Sequence, residues 1–174
     1  MRRRSRKAER LLGVHPTSKG FGFVIFEGAQ SLIDWGVVGV TGALNPESRR
    51  RVAVLLDRYT PSLIVVEDYF DKTSRRCARI QWLLKDIINL AALRNIRSQL
   101  VSRRAVRDLF VSEGNATKHQ VAVAIAKRFP ELAPRVPPPR KPWMSQDERM
   151  SIFDASALAL VALNNNVDSL HTGG

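Results

Sequence analysis

The chain has 174 residues, with 28 Lys and Arg against 16 Asp and Glu, for a formal net charge of +12. That length fits one domain with a sizeable core, and no apolar run approaches the roughly 20 residues a membrane helix needs. The charge favours a polyanionic partner, most simply nucleic acid, over a small-molecule substrate. A single cysteine, Cys77, rules out an intrachain disulfide and suits a reducing cytoplasm. The positive charge is clustered, at residues 2–10, 49–51, 75–79, 94–107 and 135–141. The first cluster leads straight into a strand pattern and not into a signal-type apolar region, so a cytoplasmic location is expected.

In chain order, residues 1–10 read as a disordered basic arm. Residues 11–14 form a short apolar strand that His15-Pro16-Thr17-Ser18 breaks. Residues 21–26 and 32–40 give two more strands, rich in aromatic and β-branched side chains, around a turn at Gly28. These three strands suggest an antiparallel meander. Asn45-Pro46-Glu47 reads as a helix start, with Asn45 as cap and Pro in the first turn. Val52, Leu55, Leu56 and Tyr59 then make one apolar stripe. Residues 63–66 are continuously apolar, as in a parallel strand buried on both faces.

A helix is expected over about 74–94, with Ile80, Leu83, Leu84, Ile87, Ile88 and Leu90 inward. A short strand follows at 100–101, then helices at about 103–110 and 118–129. Residues 130–149 are proline-rich without apolar period, hence a long loop. Residues 151–163 are apolar almost all round, a deeply packed helix. The folded domain is 11–164, and 165–174 reads as a flexible tail. Three strands, helix, strand, helix, strand and then helices give an α/β domain: a mixed sheet with helices on its faces.

Three residues stand where chemistry gathers. Glu67 ends the buried strand, at the carboxyl edge where ligands of parallel sheets collect. Its bland reading is a strand-end carboxylate paired with an arginine. Asp154 lies in the first turn of the last helix. Ser151-x-x-Asp154 fits a capping box there, yet a charge on so apolar a helix also suits a cation ligand. His15 closes the first strand, either donating to a backbone carbonyl or acting as a ligand. Asp68 points to the opposite side from Glu67.

Gly13-Val14-His15-Pro16-Thr17-Ser18, with Gly20-Phe21-Gly22, resembles the first motif of the RuvC-type Holliday junction resolvases, an RNase H-like family. In that motif His15 stands where the family has an aspartate. Val65-Val66-Glu67-Asp68-Tyr69-Phe70 is similar to the second motif, Lys118-His119-Gln120-Val121 to a third, and Asp154-Ala-Ser-Ala-Leu-Ala-Leu to the final helix. The likeness spans residues 11–163. It implies an RNase H-like fold and a metal-dependent endonuclease that cleaves branched DNA such as Holliday junctions in recombination or repair.

Carried onto this sequence, the resemblance gives His15, Glu67, Asp154 and Asp147 as catalytic and metal-binding residues, with Glu148 as a further ligand. Nucleic-acid contacts would come from Ser18, Lys19, Arg75, Arg76, Arg79, Arg104, Arg107, Lys118, His119, Arg140 and Lys141. A homodimer would suit a two-strand cut. The family holds two Mg²⁺ ions with four carboxylates. Here two matched carboxylates and one imidazole remain, and Ser151 stands at the position of the final helix's other acid. Imidazole favours Mn²⁺ over Mg²⁺, so the cofactor is expected to be Mg²⁺ or Mn²⁺ with Mn²⁺ preferred. The alternative is a weakly active or inactive nucleic-acid-binding protein on the same fold.

Overall fold

The computed structural model describes residues 9–115 and 117–171, with side chains described through residue 166. Most of the expected arm, residues 1–8, and the end of the expected tail, 172–174, therefore lie outside the described residues. The sheet has five strands in the order β3-β2-β1-β4-β5. They are β1 (Arg10–Pro16), β2 (Gly20–Glu27), β3 (Ser31–Gly39), β4 (Leu63–Glu67) and β5 (Arg97–Val101). The first three form the antiparallel meander, while β4 lies parallel to β1 and β5 parallel to β4. The mixed sheet read from the element order is thus the one formed.

Alternation along β1 and β4 sorts side chains onto two faces. Leu12, Val14, Ile64 and Val66 pack with α1 (Leu44–Tyr59) and α2 (Ala78–Ala92). Leu11 and Val65 pack on the other face with α5 (Met150–His171) and with α3 (Arg103–Ser112) and α4 (Lys118–Arg128). His15 is in phase with Leu11, and Glu67 with Val65. Both therefore open onto the α5 face at the carboxyl ends of adjacent parallel strands.

Two glycines set how close α5 comes. A Cβ on Gly22 would lie 2.4 Å from the backbone of Ser151, and one on Gly13 would lie 2.8 Å from the carbonyl of Ala155. Only a bare backbone admits the helix at that distance. Gly22 is also the cross-strand partner of His15. The helix segment between those two contacts carries Asp154, and so delivers it to His15.

Four sequence expectations change. The first helix begins at Leu44 after Ala43, not at an Asn45 cap. The Asn45 side chain instead donates to the Arg79 carbonyl at 2.9 Å and accepts from Arg79 Nη1 at 3.0 Å. The second helix begins at Ala78, four residues later than its apolar pattern suggested. Asp71 holds a turn there by accepting from both the backbone and hydroxyl of Thr73 at 2.8 Å. Ser151 does not cap α5. It lies inside that helix, and its hydroxyl donates to the Glu148 carbonyl at 2.6 Å. Finally, α5 continues through His171, across most of the expected tail. The proline-rich loop also holds a short 3-10 helix, Pro130–Arg135. Among the described residues no helix is long and apolar enough to cross a membrane.

Candidate functional site

His15, Glu67 and Asp154 line one cleft above the carboxyl edge of β1 and β4, His15 next to Asp154 and joined to Glu67 through Arg76. His15 Nε2 lies 3.4 Å from Asp154 Oδ2, and the two side chains are only 14% and 16% exposed. Glu67 is nearly fully buried. Each anionic oxygen in the cluster that makes a contact faces a cation. Arg76 Nε donates to Glu67 Oε2 at 2.6 Å, and Arg103 Nε donates to Glu67 Oε1 at 2.7 Å. Lys118 Nζ donates to Asp154 Oδ2 at 3.2 Å, and Gln146 Nε2 donates to the same oxygen at 3.4 Å.

Arg76 reaches further. Its Nη1 donates to the Pro16 carbonyl at 3.2 Å, and its Nη2 lies 2.9 Å and 3.3 Å from the two ring nitrogens of His15. A neutral imidazole offers one of those nitrogens as acceptor. The ring is held neutral. Burial lowers the His15 pKa to about 4, against the pull of Asp154, and Arg76 and Lys118 push it the same way as burial. Burial alone would raise the Glu67 carboxyl, but Arg76 and Arg103 outweigh it and hold the group ionised below its usual range.

The residues present do not fit a divalent-metal centre. Two carboxylates face three cations, and the neutral imidazole adds no charge. Both oxygens of Glu67 already accept from guanidinium groups. Among the described residues, no group of three or more His, Cys, Asp or Glu side chains is placed to hold an ion. The two acids nominated to complete a metal shell turn elsewhere. Asp147 is bound by Arg149, with Nη2 to Oδ2 at 2.7 Å, which holds its carboxyl below the usual range. Glu148 pairs with Lys19 at 3.5 Å.

The remaining nominated residues divide into two groups. Arg79, like Arg76, points inward and donates to the Thr17 carbonyl at 3.2 Å. Arg104 pairs along its own helix with Asp108 at 3.7 Å. Ser18, Lys19, Arg75, Arg104, Arg107, Lys118, Arg140 and Lys141 are exposed. Lys141 also lies over the ring of Trp143. Half-buried His119 sits in the first turn of α4, behind a capping box in which Thr117 and Gln120 satisfy each other's backbone.

A cleft of about 470 Å³ opens beside the cluster. Its polar wall is His15, Glu67, Arg103, Arg107, Lys118 and Asp154, and its apolar wall includes Val106, Phe110, Val121, Phe153 and Leu158. Two neighbouring clefts share Lys118. One runs past Ser18, Asp147 and Glu148, and the other past His119, Pro137–Arg140 and Met144. Sequence reasoning missed Arg103 and Gln146. Arg103 was findable in principle. Val101 pairs with Glu67 across the parallel strands, and Ser102 caps α3, so the first helical residue falls next to Glu67.

No family model and no curated protein sequence matches the chain. Solved structures do. The Thermus thermophilus RuvC structure superposes with a TM-score of 0.64 at 20% identity, covering 91% of this chain and 96% of that one. T. thermophilus RuvC in complex with Holliday junction substrate gives 0.66 at 18%, with the same coverage. The yeast mitochondrial Holliday junction resolvase Ydc2 gives 0.63 at 15%, covering 95% of this chain and 82% of that one. The chain has the RuvC-like fold, and at the carboxyl edge of its sheet that fold carries a carboxylate–imidazole cluster enclosed by arginine and lysine.

Proposed function

We propose that this protein binds branched DNA, gripping the phosphodiester backbone along the basic edge at which β1 and β4 end and α3 and α4 begin. One observation carries the reading: at that edge Arg76, Arg103 and Lys118 surround two carboxylates, with exposed Arg107 in the same cleft and exposed Arg140 in the next. The local charge therefore favours a polyanion over a cation. The choice of a branched partner draws on the fold, since one RuvC structure of the same architecture is a complex with Holliday junction substrate. A role in recombination or repair would follow from such binding.

A second reading, metal-dependent cleavage of the same DNA, is favoured by the placement of His15, Glu67 and Asp154 along one cleft, with His15 and Asp154 side by side. Cleavage would need Arg76, Arg103 and Lys118 to leave the carboxylates, and Mn²⁺ would suit the imidazole better than Mg²⁺.

One experiment separates the two. A four-way junction and a linear duplex of equal length are titrated with the protein, in Mg²⁺ and in Mn²⁺, and read for both mobility shift and strand scission. We expect preferential junction binding without scission in either metal. Equal affinity for both DNAs would remove the branched-DNA assignment. Scission that disappears in Glu67→Gln and Asp154→Asn would establish the nuclease instead.

A further inference from the structure

We infer that Arg76 is the resident cation of this site: its guanidinium occupies the point at which His15, Glu67 and the Pro16 carbonyl converge, and it excludes a divalent metal from that point. The inference deepens the DNA-binding reading but does not depend on DNA, because it concerns what the protein holds by itself.

The acceptors around Arg76 are of the kinds a metal ion would take: a carboxylate at 2.6 Å, an imidazole nitrogen at 2.9 Å and a backbone carbonyl at 3.2 Å. A planar guanidinium has five N–H donors in a fixed fork, and each of its three nitrogens is used. Its side chain is 14% exposed and that of Glu67 is 3%. Arginine stays charged in any protein setting. An arriving divalent ion would therefore meet a permanent positive charge within contact distance.

The arginine is also anchored from behind. Its own carbonyl accepts from Gln81 Nε2 at 2.9 Å. Three residues on, Arg79 donates to the carbonyl of Thr17 at 3.2 Å and to Asn45. Arg76 and Arg79 thus bind the carbonyls of the consecutive residues Pro16 and Thr17. Together they tie the entry to α2 and its first turn to the turn that follows His15. Release of Arg76 would break the Pro16 hydrogen bond and leave buried Glu67 with Arg103 alone.

The same arrangement accounts for histidine at position 15. An aspartate there would add a third carboxylate beside Glu67 and Asp154, which suits a bound divalent ion. A neutral imidazole suits a single guanidinium. His15 and Arg76 are then two halves of one exchange, with less negative charge on the strand and a tethered monovalent cation in place of a free divalent one.

The test is calorimetric titration of the full chain with Mn²⁺ and with Mg²⁺, without DNA, on the parent, Arg76→Met, and His15→Asp with Arg76→Met. Far-UV circular dichroism checks folding. We expect no saturable binding to the parent, and saturable Mn²⁺ binding to the double variant at least about tenfold tighter than any seen in the parent. Saturable Mn²⁺ binding to the parent that Glu67→Gln abolishes would overturn the inference. So would a folded double variant that binds no metal. If the variants do not fold, the parent titration decides alone, its silence supporting the inference and its saturation, abolished in Glu67→Gln, refuting it. Junction mobility shift is read separately, so failure of the metal inference leaves the DNA-binding reading standing.

Discussion

At the scale of single residues, two groups make this protein sensitive to acid. His15 has a folded pKa of about 4 against an ordinary value of 6.5. Between those two pH values the unfolded chain holds the proton and the native chain does not. Stability present above pH 6.5 is therefore lost as pH falls toward 4, by on the order of 3 kcal/mol. Glu67 acts in the same direction lower down, because its folded pKa lies below 4.5. We expect chemical-denaturation midpoints to drop from pH 7 to pH 4.5, and His15→Gln to flatten the upper part of that drop. A midpoint flat over this range in the parent would contradict the burial of a neutral imidazole. Glu67→Gln leaves Arg76 and Arg103 without their carboxylate. Breaking a buried pair from one side costs about 3–5 kcal/mol, so the variant should unfold at clearly lower denaturant. Because it removes a negative charge from the edge proposed to meet DNA, it should not weaken junction binding; loss of that binding in a folded variant would place Glu67 in direct contact with a metal or a base.

At the scale of elements, the site depends on how closely α5 lies over β1 and β2. The two glycines act as spacers, and filling one pushes the helix away. Gly22→Ala puts a methyl group 2.4 Å from the Ser151 backbone, and overpacking of this kind costs about 1–3 kcal/mol. The shift should also move Asp154 from His15, so the acid-dependent loss of stability should change in the same variant. Gly28→Ala is the control, since its Cβ would meet nothing within 4 Å, although its φ of +66 brings a small backbone cost. Equal midpoints for Gly22→Ala and Gly28→Ala would disprove the spacer role. Helix boundaries show where local signals lose to tertiary ones. Asn45 is a good N-cap by propensity, but Arg79 on the neighbouring helix offers it both a donor and an acceptor. Ser151 and Asp154 have capping-box spacing, but backbone bonds from Met150 and Ser151 to the carbonyls of Asp147 and Glu148 start the helix at Met150, and the Ser151 hydroxyl donates to the Glu148 carbonyl instead.

For the whole molecule, the dominant property is a net charge of +12 on 174 residues. Neutralised phosphates release counterions, so junction affinity should fall steeply and linearly with salt on logarithmic axes. Arg2, Arg3, Arg4, Arg6 and Lys7 supply five of the positive charges. Their removal should lower the slope by about one for every phosphate that they neutralise, while far-UV circular dichroism stays unchanged. Affinity that does not respond to salt would show that the charge serves something other than nucleic acid. Exposed Phe70, Trp82 and Trp143 give the surface aromatic groups as well, and tryptophan fluorescence reports directly on whether DNA approaches Trp82 or Trp143.

The sequence alone determined the sheet and its helices, because strand alternation, continuous apolar runs and helical stripes are local patterns that burial enforces. It also singled out His15, Glu67 and Asp154, which the structure places along one cleft. His15 and Glu67 lie at the ends of strands and point the same way by phase, and Asp154 is the one charge in the apolar stretch 151–163. What the tertiary structure decided is what those three residues hold. Arg76 lies nine residues beyond Glu67 in an irregular segment that reads as the start of a helix, and nothing in its spacing says that it turns inward. Its direction is set by acceptors on β1 and β4, which only the folded sheet brings together. Arg103 and Lys118 likewise read as surface charge until α3 and α4 are placed over the sheet edge. Long cationic side chains have no period to betray their partners. Their pairing is fixed by distance in space, and that is why His15, Glu67 and Asp154 were legible in the sequence while the cations facing them, and the turning away of Asp147 and Glu148, were not.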